Sequence, residues 1–218
     1  MSKPFIDESA DLAVRGYLHF LSDPNGEGVA LTHGAGSNCE TKLLIEVCGA
    51  LASLGFTVLR FDLPFRTARP TGPPRPGDAE RDRQGLARAA SLLKRKIDGR
   101  LFLGGHSYGG RQASMLVAEQ PGEADGLLLL SYPLHPPKKP KELRTKHLAQ
   151  LSRPAFFAHG TKDPFGSIGE VEKALQLIPA HHVLFPLEGA GHDLAVRKIA
   201  TDVPKRIAEA FAAFAGTY

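Results

Sequence analysis

The sequence predicts an α/β fold: a mostly parallel, twisted sheet with helices on both faces. Two patterns point there. Short apolar runs bounded by turn residues alternate with longer stretches of helical spacing. The residues with chemical potential follow the apolar runs directly, where open parallel sheets place their ligand sites. Right-handed crossovers through the helical stretches join such strands into one covered sheet.

In chain order, residues 12–20 read as one antiparallel edge strand. The first parallel strand, 29–31, runs into a turn of small residues at 32–38 and then a helix over 41–54. Strand 57–61 precedes a segment, 62–83, with five prolines and five arginines, which reads as a surface loop. A helix over 80–96 overlaps its end. Strand 101–103 leads straight into a helix over 107–119, and strand 127–130 follows. Residues 135–153 carry Pro136-Pro137-Lys138-Lys139-Pro140-Lys141 and read as a second irregular connection. Strand 155–157, a helix over 170–177, strand 183–185 and a helix over 195–215 complete the chain. Each of the two loops is either a solvated connection or the border of a pocket, since both leave strand ends on the ligand side.

At 218 residues the chain is expected to form one domain, 1–218, with a sizeable core. Hydrophobic residues make up 42% and charged residues 23%, which argues against disorder. The net charge of +4 is too mild for a nucleic-acid footprint, and tryptophan is absent, so nucleic acid is not an expected partner. No apolar run approaches the roughly 20 residues of a membrane span. Asp7, Glu8 and Asp11 leave no apolar signal-peptide core, so stable membrane insertion is not expected. Cys39 and Cys48 cannot build a multi-disulfide framework, and a reducing cytoplasm is the expected location.

The densest chemical signal is Gly105-His106-Ser107-Tyr108-Gly109, a G-x-S-x-G between an apolar strand and a helical pattern. A sharp strand-to-helix turn pushes a serine hydroxyl out of the sheet, and glycines two residues either side avoid collisions with neighbouring backbone. The new helix directs N–H groups and its positive dipole end at any anion forming beside Ser107. The spacing fits neither a phosphate-binding P-loop nor a dinucleotide fingerprint.

A serine hydroxyl needs a base to take its proton and a carboxylate to orient that base. Asp163, in the turn after strand 155–157, and His192, in the loop after strand 183–185, supply both in chain order. Asp193 adjoins His192 and folds back to it poorly. His181 and His182 precede their strand at the wrong edge. His159 either lines the pocket or packs in the core, and His106, the variable residue of the turn, receives no catalytic role. Two backbone donors are needed for an oxyanion: Tyr108, after the serine, and one from residues 32–38, placed at Ala35 with Gly34 and Gly36 as alternatives. Losing one such donor costs about 3–4 kcal/mol in the transition state.

With HGAG at 33–36, GGHSYGGR at 104–111, GTKDPFG at 160–166 and GAGHD at 189–193, nearly the whole chain resembles an α/β-hydrolase. Arg60-Phe61-Asp62-Leu63-Pro64-Phe65 and the serine turn resemble a compact group of hydrolases related to the dienelactone-hydrolase-like branch. The resemblance implies an α/β-hydrolase fold with a minimal cap. It also implies a serine hydrolase acting on a carboxylic ester or thioester of a small-molecule acyl substrate through an acyl-enzyme, without metal or organic cofactor. Dienelactone hydrolases use a cysteine where this chain has Ser107, so their substrate does not carry over. A binding protein on the same scaffold with little catalysis is the alternative. Over residues 138–146, five basic residues against one acidic give +4, which is either a solvated face or an attraction for anionic acyl groups. Oligomeric state is not legible.

Overall fold

The computed structural model describes residues 1–196 and 202–217. Its strands are β1 (Ser2–Asp7), β2 (Val14–His19), β3 (Gly28–Thr32), β4 (Thr57–Phe61), β5 (Leu101–His106), β6 (Gly126–Leu130), β7 (Ala155–Gly160) and β8 (His182–Leu187). The helices are α1 (Lys42–Ser53), α2 (Pro64–Ala68), α3 (Asp78–Lys94), α4 (Tyr108–Glu119), α5 (Ile168–Leu175) and α6 (Val203–Ala215). The strands form one sheet in the order β1-β2-β4-β3-β5-β6-β7-β8. β2 is antiparallel to both β1 and β4, and every other pairing is parallel.

Strand alternation divides the core between the two faces of the sheet. In the run 127–130, Leu127 and Leu129 pack with α3, α4 and α5 through Leu86, Val117 and Val171. Leu128 and Leu130 pack on the other face with Leu51 of α1 and Phe211 of α6. Both faces are covered, which explains why the central strands read as continuous apolar runs rather than alternating ones.

Three expectations need correction. The edge strand expected at 12–20 is β2, but β1 lies outside it, pairing Ser2 with His19; its largely exposed residues carried no strand pattern. The final helix begins at Val203, with Asp202 accepting from the Lys205 N–H; of residues 195–202, expected in the helix, 195, 196 and 202 are not helical and 197–201 lie outside the described residues. The largest correction concerns 62–83. Pro64, Phe65 and Arg66 of α2 are buried, and α3 already starts at Asp78, so within 62–83 only residues 62–63 and 69–77 remain irregular.

Candidate active site

β5 ends at His106, and the chain turns at once into α4. Ser107 takes the strained pair φ 51°, ψ −115°. The flanking glycines are required by contact with β3. A Cβ on Gly105 would strike the Thr32 carbonyl oxygen, and one on Gly109 would sit 2.5 Å from the His33 carbonyl oxygen. The Ser107 N–H donates to the Leu130 carbonyl of the adjoining strand at 2.8 Å, which ties the turn to the sheet.

Fifty-six residues downstream in sequence, Asp163 lies in the turn after β7 with its side chain fully buried. One carboxylate oxygen accepts the Phe165 N–H at 2.8 Å. The other is 2.8 Å from His192 Nδ1, and His192 Nε2 is 2.8 Å from Ser107 Oγ. Phe165 stacks on the imidazole at 4.1 Å between ring centres, which limits the ring's rotation. Ser107, His192 and Asp163 thus form one continuous hydrogen-bond chain.

The rival groups engage other partners. Asp193 accepts from the Ala195 N–H, and His181 stacks on Phe214. His159, left between pocket and core, is fully buried; its Nε2–H donates to the Gly166 carbonyl at 2.8 Å and braces the turn that carries Asp163. Burial holds its pKa below the ordinary histidine value.

Two histidines have positioning contacts that sequence reasoning missed. His106 Nε2–H donates to the His192 carbonyl at 2.8 Å and so anchors the loop bearing that imidazole. Burial pulls its pKa down to about 4, leaving it neutral near pH 7. His33 donates from Nδ1 to the Gly34 carbonyl at 2.8 Å and accepts the Leu63 N–H at Nε2, 3.1 Å away. Nothing local marks either residue, because each acts through a carbonyl or N–H on another segment.

Tyr108 is the first residue of α4, and residues 34–37 face it across a cavity of about 550 Å³ that Ser107, Arg111, Pro133, Arg144, Phe165 and His192 also line. Asp82 of α3 accepts the Tyr108 hydroxyl at 2.8 Å and the Phe65 N–H at 3.0 Å. Burial raises the Asp82 pKa, and burial with Asp82 beside it raises that of the phenol. Arg66, 6% exposed, braces residues 34–37 from behind: its guanidinium donates to the carbonyls of Ser37, Ala35, Arg69 and Gly72. The Gly34 carbonyl accepts from His33 Nδ1, the Ser37 N–H and the Ser37 hydroxyl. In a trans peptide the N–H opposes the C=O, so the Ala35 N–H points away from those donors.

A mostly parallel sheet in which β2 alone runs against the rest, a strained serine between β5 and α4, and a histidine–carboxylate pair at two later strand ends define the α/β-hydrolase class. Residues 26–216 match a family model described as an alpha/beta hydrolase domain, and the chain belongs to that family. Among solved structures, a dienelactone hydrolase from Anabaena variabilis is 20% identical, with a TM-score of 0.74 over 98% of this chain and 97% of that one. A serine hydrolase homologue from Coxiella burnetii is 15% identical, with a TM-score of 0.74 over 95% and 96%. A serine hydrolase without a lid from Xanthomonas campestris is 17% identical, with a TM-score of 0.69 over 98% and 94%. At these identities the likeness is one of fold. Between β6 and β7 this chain has residues 131–154, whose only helix is the single turn Leu148–Gln150.

Proposed function

We propose that the protein is a serine hydrolase that cleaves a carboxylic ester or thioester of a small-molecule acyl group. The hydrogen-bond chain Ser107–His192–Asp163, opening on the cavity, carries this reading. His192 Nε2 takes the Ser107 proton as Oγ attacks the carbonyl carbon. Asp163 holds Nδ1–H and stabilises the imidazolium. The Tyr108 and Ala35 N–H groups receive the oxyanion, and the engaged Gly34 carbonyl leaves the Ala35 N–H turned away from His33 and Ser37. Collapse of the tetrahedral adduct expels the alcohol or thiol, which takes the proton from His192, and leaves Ser107 acylated. Water then attacks the acyl-enzyme with His192 as base, releasing the acid and restoring the serine.

Both thiols, Cys39 and Cys48, are buried and unpaired, and burial raises each pKa to about 12. Unpaired thiols agree with residence in a reducing cytoplasm. The test is covalent labelling by a fluorophosphonate together with hydrolysis of a p-nitrophenyl ester. Wild-type protein is expected to do both and Ser107→Ala neither. Folded wild-type protein that stays unlabelled and inert would overturn the reading in favour of a binding role.

A further inference from the structure

The cavity beside Ser107 is lined by two arginines, Arg111 and Arg144, that form no ion pair among the described residues. Arg111 stands one helical turn beyond the serine, its N–H donating to the Ser107 carbonyl at 2.9 Å, so both residues share one face of α4. Its Nε is buried and has no hydrogen-bond partner. Arg144 arrives from the connection between β6 and β7. Its backbone is fixed by an N–H donated to Leu134 at 2.8 Å and by its carbonyl accepting from the Tyr132 hydroxyl at 2.6 Å. The guanidinium itself makes only a long bond, 3.3 Å, to the Pro133 carbonyl.

Among the described residues, neither guanidinium has a carboxylate within ion-pair distance, whereas Arg15, Arg69, Arg83, Arg88 and Arg100 each have one. Burial and the facing Arg111 charge pull Arg144 below its ordinary pKa, a sign that the two cations repel one another. His147 adds no charge at neutral pH, because burial and Arg111 hold its pKa near 4. The basic residues that flank Arg144 in sequence do not share the site. Lys138, Lys141 and Lys146 are exposed, and Lys139 pairs with Glu142 at the surface. Two partly desolvated like charges without counterions cost free energy that a bound anion recovers. Guanidiniums present paired N–H donors that match the oxygens of a carboxylate or phosphate.

We propose that Arg111 and Arg144 form an anion subsite, so that the substrate is an ester or thioester bearing a carboxylate or phosphate a few bonds from its scissile carbonyl. The substrate statement rests on the serine-hydrolase reading above; the subsite itself does not.

The experiment compares kcat/KM for the p-nitrophenyl half-ester of glutarate, charged on the acyl side, with p-nitrophenyl valerate, its neutral counterpart. The valerate ester of 4-hydroxybenzoate against phenyl valerate charges the leaving side instead. Each charged-to-neutral ratio is read in wild type and in the Arg111→Gln/Arg144→Gln double variant, which cancels intrinsic reactivity. At least one ratio is expected to fall about tenfold or more in the variant, the loss of one charge-assisted contact. The same wild-type ratio is expected to fall as salt rises from 0.01 to about 0.5 M, an arm that needs no variant to fold. Calorimetric titration of Ser107→Ala protein with glutarate and with inorganic phosphate separates the two anions without turnover. Ratios unmoved by variant and salt, with neither anion bound, overturn the subsite while ester turnover keeps the hydrolase reading. Anion binding that the double variant loses, in protein that cleaves no ester, sinks the hydrolase reading and leaves the subsite standing.

Discussion

The connection from β4 to α3 and the connection from β6 to β7 have much in common. Both are rich in proline and basic residues, both leave the carboxyl end of a strand, and each carries an arginine towards the site: Arg66 against residues 34–37, Arg144 into the lining of the cavity beside Ser107. Their arginines end in opposite states. Arg66 places four of its five donors on four carbonyls, two of them in residues 34–37, and keeps one at most for a ligand. Arg144 spends one weak donor on Pro133 and lines the cavity with the rest. The difference teaches that an arginine's role follows from how many of its five N–H donors the fold already uses. Charge counting along the chain cannot separate the two, because it registers both as +1.

The hardest way to break this comparison is to remove the group both regions serve. Ser107→Ala is expected to lower turnover of charged and neutral esters alike by on the order of 10⁴-fold or more, with an unchanged melting temperature. Residual turnover near wild type would leave the two arginines without a reaction to serve. Asp163→Asn should follow closely, losing about 10³- to 10⁴-fold in kcat, because the amide no longer accepts from His192 Nδ1–H and strands the imidazole in the wrong tautomer. Steady-state kinetics with both esters measures each.

Arg66→Ala separates bracing from binding. It strips donors from the Ala35 and Ser37 carbonyls and should lower kcat about 10- to 100-fold for every ester, leaving the charged-to-neutral ratio where it was. A urea titration should show a loss of about 2–4 kcal/mol of stability, since buried carbonyls are left unpaired. A changed ratio here would erase the distinction from Arg144.

The mildest test is acid. His19, His106 and His147 are each held near pKa 4 by burial, against about 6.5 in the unfolded chain. The unfolded chain therefore binds protons first, and stability contributed by these groups is intact above about pH 6.5 and drains as pH falls towards 4. The urea midpoint should drop across that window. A flat profile would mean that burial does not hold these three histidines neutral.

Much of the fold was legible because hydrophobic periodicity reports burial directly. Residues 127–130 send leucines to both faces, and only a central strand buried on both sides needs such a run. β1 was not legible because an exposed edge strand is stabilised by backbone pairing, which leaves no pattern in side chains. α2 was hidden by its composition. Five prolines and five arginines in 62–83 describe a solvated loop, and only the finished fold shows Arg66 buried against carbonyls from residues far behind it. Ser107, Asp163 and His192 were picked out in sequence as candidates because each follows an apolar strand, and the sheet brings those strand ends together. His106 was passed over because its hydrogen bond is to a backbone atom 86 residues away.

The chain's own order of residue types therefore determined which segments become strands, that they run mostly parallel, and which hydroxyl, imidazole and carboxylate stand at neighbouring strand ends. These follow from local sterics and from burial periodicity, which each segment carries within itself. Only the tertiary structure decided which polar groups are already satisfied. Hydrogen-bond capacity is consumed by partners distant in sequence, so Arg66 became a brace and Arg111 and Arg144 kept free donors through packing that no single segment encodes.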